Sequence, residues 1–233
     1  MSLVSVIIVT WNNVDEIAAC LETVKSQSYR SLEVIVIDNA SHDGTADVVA
    51  KDFPHVQLHR NGTNVGFSRG CNQGIDQTQG DFLLFLNPDV RLNPTYVERL
   101  LEGLESDPSV GSAGGKIYLE ATDPKWLDST GILLDKARWH PHDRGHGQLD
   151  NGQYNQQEHV FGITAAAALY RRQTLEECRV GGEIFDEDFF AYYEDADLAW
   201  RAQLLGWRAL YVPEAVDYHP RRGPGARLRR VAI

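Results

Sequence analysis

The feature that most constrains this fold is an apolar run that stops at a proline turn. Residues Phe82 to Leu86 show no polar alternation, and Asn87-Pro88-Asp89 follows them directly. An uninterrupted apolar run of this length is typical of a strand covered on both faces in a parallel sheet. Because proline cannot donate to the strand ladder, the strand is predicted to end there. Asp89 is therefore placed just past the carboxyl end of a strand, where open α/β sheets bind their ligands.

The tripeptide by itself has two interpretations. An aspartate in a turn commonly bonds its own backbone, and this is the more frequent role for a lone Asn-Pro-Asp. A carboxylate at a ligand-binding edge is also suited to Mg²⁺ or Mn²⁺ carrying a diphosphate. The choice between them depends on the rest of the chain.

Strand and helix patterns alternate through the first part of the chain. Residues 5–10, 32–37 and 56–59 read as strands, with helical apolar spacing between them and Asp15 predicted to cap the first helix. This order predicts right-handed βαβ units. With 233 residues and no visible linker, we expect one α/β domain whose central, mostly parallel sheet is flanked by helices.

Several classes of protein are excluded or disfavoured. The glycines of residues 61–75 do not follow G-x-G-x-x-G, and no P-loop is present, which disfavours a dehydrogenase and a P-loop nucleotidase. The net charge of −11 argues against nucleic-acid binding. The three cysteines have no metal spacing and are predicted to be buried thiols in a reducing compartment. No signal peptide or membrane-spanning run is visible, so a cytoplasmic protein is expected.

The end of the chain differs in charge from the remainder. Residues 221–230 contain five arginines, and we separate a tail of residues 221–233 from the domain of residues 1–220. The tail is either solvated or touches anionic lipid or a phosphorylated acceptor. The second interpretation implies peripheral contact with the inner face of the cytoplasmic membrane.

The region of residues 111–158 has weak periodicity. It is predicted to be irregular and partly strand, with a mobile loop over residues 139–157. His140, His142 and His146 lie in this loop, and a zinc site is conceivable. Their spacing matches no standard site and no cysteine joins them, so a solvated loop is the preferred interpretation.

An acidic cluster opens the last predicted helix. Glu194, Asp195 and Asp197 fall in its first turn, where the helix dipole alone favours carboxylates. Aromatic residues crowd the positions just before them, at Phe189, Phe190, Tyr192 and Tyr193. Carboxylates beside aromatic rings that can stack on a sugar resemble a sugar-binding surface next to a base.

Taken together, these segments resemble the large family of inverting nucleotide-sugar glycosyltransferases that includes bacterial rhamnosyltransferases, galactofuranosyltransferases and the catalytic domains of cellulose and chitin synthases. The resemblance runs from Val4 to about His219 and implies a GT-A fold. It rests on five motifs in order: Thr10-Trp11-Asn12, Asp38-Asn39-Ala40-Ser41-His42-Asp43-Gly44-Thr45, Asn64-Val65-Gly66-Phe67 with Asn72, Asn87-Pro88-Asp89, and Glu194-Asp195-Ala196-Asp197-Leu198 with Arg201.

The resemblance implies a role for each of these residues. Thr10 and Asn12 would line the nucleotide pocket, Asp38 would bond the pyrimidine ring, and Asp43 would help to hold the nucleoside. The segment that covers nucleotide and sugar would use Asn64, Gly66, Phe67 and Asn72.

The same resemblance implies the reacting groups. Asp89 and His219 would bind Mn²⁺ or Mg²⁺, and Asp195 would be the general base beside Glu194, which would contact substrate. Spacing alone leaves Glu194 and Asp197 as alternative bases. Asn87 stands where relatives have the first aspartate of Asp-x-Asp, which leaves its sugar contacts and the need for metal open.

The implied activity is inverting sugar transfer to a hydroxyl of a glycan or lipid-linked acceptor in cell-surface polysaccharide synthesis. dTDP-rhamnose is the first donor candidate, from Asn87-Pro88-Asp89, and UDP-hexoses come next. Two other functions compete: a catalytically inactive nucleotide-sugar binder and, less favoured, a sugar nucleotidyltransferase. The latter usually carries a basic, glycine-rich loop after its first strand, whereas residues 11–16 are acidic and glycine-free.

Overall fold

The computed structural model describes residues 2–119, 125–135, 137 and 140–220. The strands are β1 (Val4–Thr10), β2 (Leu32–Asp38), β3 (Gln57–Arg60), β4 (Phe82–Leu86), β5 (Arg91–Leu92), β6 (Val110–Tyr118), β7 (Leu127–Ser129), β8 (Ile132–Asp135), β9 (His140–Asp143), β10 (Glu158–Val160), β11 (Ala167–Arg171) and β12 (Arg208–Tyr218). The helices are α1 (Val14–Lys25), α2 (Thr45–Asp52), α3 (Phe67–Asp76), α4 (Tyr96–Ser106), α5 (Arg172–Glu177) and α6 (Glu194–Leu204).

One large sheet organises the domain, in the order β10-β12-β6-β11-β4-β1-β2-β3. Strands β3, β2, β1 and β4 are parallel, as are β6 and β12. Strand β11 runs antiparallel between β4 and β6. The predicted single α/β domain, with a mostly parallel sheet flanked by helices, is confirmed.

Apolar side chains cover both faces of the central strands, as the unbroken apolar runs predict. Every residue of β1 and β4 is buried. One hydrophobic cluster packs α1, α2 and α4 on one face, and a second packs α3, α5 and α6 on the other. Strand β4 ends at Leu86, directly before Asn87-Pro88-Asp89, as the proline predicts.

The predicted cap of α1 is wrong. The helix begins at Val14, so Asp15 lies inside its first turn. The N–H of Val14 instead donates to Oδ2 of Asp43 at 3.0 Å. A carboxylate from a distant loop therefore satisfies this helix end, which the local sequence could not indicate.

The segment predicted as a loop after residue 139 contains more regular structure than expected. His140–Asp143 forms β9, which pairs antiparallel with β8 to make a hairpin. Residues 148–157, in contrast, contain no strand or helix.

The remaining expectations concern cysteines, membrane spans and the tail. All three cysteines are buried and unpaired. Within the described residues, no helix combines the length and the apolar character that crossing a bilayer requires. The basic tail of residues 221–233 lies outside the described residues.

Candidate active site

The predicted binding residues of three strands lie along one edge of the sheet. Thr10 ends β1 and Asp38 ends β2, and the two residues are partners in the register of these strands. Asn87 follows the last residue of β4. Because β1, β2 and β4 are parallel, their carboxyl ends form a common edge, where α/β sheets bind ligands.

Thr10 and Asn12 shape the loop that leaves β1. The buried hydroxyl of Thr10 donates to Oδ1 of Asn13 at 3.2 Å. Asn12 has a left-handed backbone, with φ 54°, and its Oδ1 accepts a hydrogen bond from the N–H of His42 at 2.9 Å. These contacts join the β1–α1 loop to the β2–α2 loop and so define one wall of the sheet edge.

Asp38 and Asp43 differ in how many of their carboxylate oxygens accept a hydrogen bond from the protein. Asp38 is buried, and its Oδ2 accepts a hydrogen bond from the N–H of Ser41 at 3.1 Å. Its buried Oδ1 has no hydrogen-bond partner among the described residues. Asp43 uses one oxygen on Val14 and the other on the N–H of Thr45, at 3.0 Å each. A free buried acceptor such as that of Asp38 requires a partner, and a ligand is a natural one.

Gly66 and its neighbours hold the loop that precedes α6. Oδ1 of Asn64 accepts a hydrogen bond from the N–H of Gly66 at 3.0 Å. Gly66 has φ 87°, and a Cβ there would lie 2.6 Å from the carbonyl oxygen of Phe190. The N–H of Phe67 donates to the same oxygen at 2.7 Å. Only glycine fits this close approach of two backbones.

Asn72 fixes the beginning of the same loop. Its Oδ1 accepts a hydrogen bond from the N–H of Phe185 at 3.0 Å, and its Nδ2 donates to the Phe185 carbonyl at 2.8 Å. The segment predicted to cover the nucleotide therefore has a contact that sequence reasoning missed. The Asn72 side chain anchors the loop that carries the aromatic residues and leads into the acidic first turn of α6.

A cavity of about 850 Å³ opens beside this loop, within the range of ~300–1,000 Å³ usual for ligand sites. It is lined by Phe67, Asn87, Ile132, His140, Pro141, His142, Asp143, His146, Thr164, Ala165, Ala166, Ala191, Tyr192, Tyr193, Glu194, Asp195, Ala196 and His219. Four predicted site residues far apart in sequence thus share one cavity with Glu194. The other predicted site residues are not among the lining residues: Thr10, Asn12, Asp38, Asp43, Asn64, Gly66, Asn72 and Asp89.

Glu194 and Asp195 form an adjacent carboxyl pair at the start of α6. Asp195 accepts hydrogen bonds from the N–H of Ala165 at 3.2 Å and from its neighbour Ala196 at 2.8 Å. Burial raises the pKa of Asp195, and these N–H groups and the Thr164 hydroxyl oppose the rise. Burial, together with the charge of Asp195, raises the pKa of Glu194 to about 8. Two adjacent buried carboxyls do not both ionise readily, and Glu194 is the one whose pKa lies above neutral pH.

Asp197, the other carboxylate of this turn, is engaged elsewhere. Its Oδ2 accepts hydrogen bonds from Nε and an Nη of Arg201 at 2.9 and 2.6 Å. Arg201 also donates to the carbonyl of Ile184 at 2.7 Å. Asp197 does not line the cavity, so of the two alternative bases only Glu194 remains near the site.

Asp89 and His219 are in contact, and a third residue holds the histidine. Nε2 of His219 lies 3.3 Å from Oδ1 of Asp89, and Nδ1 lies 2.9 Å from Oδ2 of Asp128. Burial lowers the pKa of His219, but hydrogen bonds to Asp128 and Asp89 outweigh it and raise the pKa to about 9. Burial raises the pKa of Asp89, but the hydrogen bond and charge of His219 lower it more.

These residues fit a divalent cation that is shared with a ligand. Two adjacent ligands of an octahedral ion, each about 2.1 Å from it, lie about 3.0 Å apart, close to the observed 3.3 Å. Carboxylate and imidazole are both accepted by Mn²⁺. No group of three or more His, Cys, Asp or Glu residues in the described parts of the chain is arranged to hold an ion. Phosphate oxygens and water would have to complete the coordination.

The β8–β9 hairpin contributes cavity residues that the sequence did not predict. His140, His142 and Asp143 lie on β9, and the charge of Asp143 raises the pKa of Asp195. The His140 ring meets the Tyr193 ring edge-on, with centroids 6.2 Å apart. His140, His142 and His146 are exposed, in agreement with the solvated interpretation, and all three also line the cavity. His140 and His142, however, belong to a strand and not to a loop.

Comparison with known proteins places these observations among relatives. The sequence profile described as Glycosyl transferase family 2 matches residues 5–179. The chain is 27% identical to an N-acetylglucosaminyl-diphospho-decaprenol L-rhamnosyltransferase of Mycobacterium tuberculosis, over 92% of this chain and 75% of that protein. It is 25% identical to a poly-β-1,6-N-acetyl-D-glucosamine synthase of Staphylococcus aureus, over 91% of this chain and 48% of that protein.

Solved structures share the fold. The mannosyltransferase PcManGT of Pyrobaculum calidifontis, in complex with GDP-Man and Mn²⁺, superposes with a TM-score of 0.70 at 21% identity. GalNAc-T7 with UDP, GalNAc and Mn²⁺ superposes with a TM-score of 0.74 at 14% identity. The matches cover 99% and 94% of this chain, but 60% and 43% of those chains.

Proposed function

Because this chain belongs to glycosyl transferase family 2, we propose that it transfers a sugar, with inversion, from a nucleoside-diphosphate sugar to a hydroxyl of a glycan or lipid-linked acceptor in cell-surface polysaccharide synthesis. One observation carries this proposal. Asn87, Asp195 and His219, from three distant parts of the chain, line a single cavity, and Asp89 contacts His219. A base and a diphosphate site on one cavity are what a single displacement requires.

The donor would lie along the carboxyl edge of β1, β2 and β4. The free buried Oδ1 of Asp38 suits the N–H of a pyrimidine ring, and Thr10, Asn12 and Asp43 shape the loops around it. The rhamnosyltransferase relative supports dTDP-rhamnose as the first donor candidate, ahead of UDP-hexoses. Asn87, which lines the cavity, would contact the transferred sugar.

Asp89 and His219 would hold Mn²⁺ or Mg²⁺ together with the donor diphosphate. The Mn²⁺ complexes of the two structural neighbours support a divalent cation. When bound, the cation neutralises the negative charge that gathers on the departing diphosphate. The protein's part is to keep a carboxylate and an imidazole nitrogen 3.3 Å apart at a buried position.

Asp195 would accept the proton of the acceptor hydroxyl as the new bond forms. Two backbone N–H groups hold its carboxylate, and a protonated Glu194 leaves the negative charge of the pair on Asp195. Burial raises the pKa of Asp195, which makes it a stronger proton acceptor than an exposed aspartate. General-base help of this kind is worth roughly 10²–10⁴-fold in rate.

The acceptor would enter between the hairpin and the loop before α6. Tyr192 and Tyr193 both have left-handed backbones, with φ 73° and 71°, and both side chains are more than half exposed at the cavity. Strained backbone of this kind is concentrated at functional sites. The rings of Tyr192 and Tyr193, shortly before Asp195, would stack on a sugar ring of the acceptor and direct its hydroxyl toward the base. If the acceptor is lipid-linked, the enzyme works at the inner face of the cytoplasmic membrane.

The experiment that tests this function compares Asp195→Asn with Asp197→Asn in a sugar-transfer assay against donor and acceptor panels. Asp195→Asn should bind nucleotide normally and lose transfer by about 10²–10⁴-fold. Asp197→Asn, one helical position away from the cavity lining, is the matched control and should retain turnover. Near wild-type transfer by Asp195→Asn would reject Asp195 as the base. Wild-type protein that is stabilised by nucleotide sugars but never turns them over would be an inactive binder instead.

Metal dependence needs its own experiment. Transfer should stop in excess chelator and return when Mn²⁺ or Mg²⁺ is added back. Full activity in chelator would remove the cation from the proposed mechanism and with it the metal role of Asp89 and His219.

A further inference from the structure

Asp128 is a buried carboxylate that is neither a proposed ligand of the cation nor the proposed base. It lies in β7 and is 1% exposed. Its Oδ2 lies 2.9 Å from Nδ1 of His219, and its Oδ1 lies 3.1 Å from Nδ1 of His146. A carboxylate buried this deeply is costly unless it is paired, and the partner of Asp128 is His219.

The sheet holds Asp128 and His219 on opposite sides of one strand. Strand β7 pairs with β6 through Ile117 and Tyr118, and β12 pairs with β6 at the same residues. The N–H of His219 then donates to the Tyr118 carbonyl at 2.8 Å. The carboxylate and the imidazole therefore belong to segments that both hydrogen-bond to β6, which brings them together for their 2.9 Å contact.

This contact decides which nitrogen of His219 faces Asp89. An imidazole that donates Nδ1–H to a carboxylate presents only Nε2 on its other side. In the structure it is Nε2 that lies 3.3 Å from Asp89. Histidines that bind metals almost always donate their second nitrogen in this way, and the loss of that acceptor typically costs ~10–100-fold in metal affinity.

We infer that Asp128 is a positioning residue that directs Nε2 of His219 toward a divalent cation held with Asp89. The inference rests on the cation of the proposed function. Asp128 acts through His219 and does not itself touch the cation or the donor.

The test measures Mn²⁺ binding to the full chain by electron paramagnetic resonance, with Mn²⁺ alone and with Mn²⁺ plus UDP. Asp128→Asn should weaken Mn²⁺ binding by about 10–100-fold, and His219→Ala should weaken it at least as much. Asp150→Asn is the matched control. Asp150 is a partly buried carboxylate that contacts β6, through Lys116 at 3.0 Å and Tyr118 at 2.5 Å, so loss of its charge should leave Mn²⁺ affinity nearly unchanged.

A measurement on the wild-type protein keeps the inference falsifiable if Asp128→Asn does not fold. Electron spin echo modulation from ¹⁴N should show an imidazole nitrogen bound to Mn²⁺, and the signal should disappear in His219→Ala. Absence of the nitrogen signal in the wild type, or wild-type Mn²⁺ affinity in Asp128→Asn, would overturn the inference. Sugar transfer that persists in chelator would overturn the inference but leave the proposed function intact. Mn²⁺ binding without sugar transfer would instead leave the inference intact and overturn the proposed function.

Discussion

Replacing Glu194 by glutamine tests how the carboxyl pair divides its charge. Glu194 is 6% exposed, and its buried Oε2 has no hydrogen-bond partner among the described residues. Burial, then the charge of Asp195, raises its pKa from 4.5 to about 8. The folded protein therefore keeps a proton on this side chain at pH values where the unfolded chain has lost it.

The magnitude follows from proton linkage. Between pH 4.5 and about 8 the native state binds the proton and the unfolded state does not, so the free energy of unfolding falls as pH rises. At about 1.4 kcal/mol per pH unit, the loss is about 3 kcal/mol at pH 7 and approaches about 5 kcal/mol above pH 8. Glutamine cannot ionise and escapes this loss. We therefore expect Glu194→Gln to gain stability over the wild type as pH rises.

Urea unfolding at pH 5, 7 and 8.5 measures the effect. The gap in free energy of unfolding between Glu194→Gln and wild type should widen by several kcal/mol from pH 5 to 8.5 and then stay constant. Glu214→Gln, at an exposed position of β12, is the control and should show no widening. In an Asp195→Asn background the gap should widen less, because the neighbouring charge is gone. A gap that is independent of pH would refute the reasoning, because Glu194 would then ionise equally in both states.

Three further predictions concern Gly66 beside the loop before α6, Asp38 at the proposed nucleotide site and Tyr193 at the proposed acceptor site. Gly66→Ala should lower the free energy of unfolding by about 1–3 kcal/mol from backbone strain alone and reduce transfer, since its Cβ would lie 2.6 Å from the Phe190 carbonyl oxygen; wild-type stability in urea would contradict this. Asp38→Asn should weaken UDP or dTDP binding by roughly 1.5–3 kcal/mol, the worth of a hydrogen bond to a charged group, and calorimetry showing unchanged affinity would remove Asp38 from the nucleotide site. Tyr193→Ala should raise the acceptor KM without changing donor affinity, whereas Tyr193→Phe should retain the wild-type KM; equal effects of the two variants would exclude stacking.

Local pattern was sufficient for the elements that carry the reacting groups. The apolar run of β4 and the proline after it predicted where the strand ends, because periodicity and ladder geometry act over a few residues. The same holds for the start of α6, where acidic residues and helical apolar spacing coincide. The motifs in chain order then indicated the family that the comparisons later showed.

Contacts between segments that are distant in the chain could not be predicted from the sequence. The cap of α1 comes from Asp43 and not from the nearer Asp15, because any acceptor that reaches the helix end satisfies it equally well. His140, His142 and His146 are exposed, as interpreted, but the sequence did not indicate that they line the cavity or that His140 contacts Tyr193. Neither outcome leaves a local signal in composition or spacing.

The sequence by itself determined the strand–helix alternation, the end of β4 and the acidic start of α6, because each depends on neighbours within a few positions. Only the tertiary structure decided that Asp128, 91 positions from His219 in the sequence, contacts that histidine, and that burial beside Asp195 raises the pKa of Glu194. Hydrogen bonds across strands and burial of charge depend on the packed distances between segments, and a linear sequence does not contain those distances.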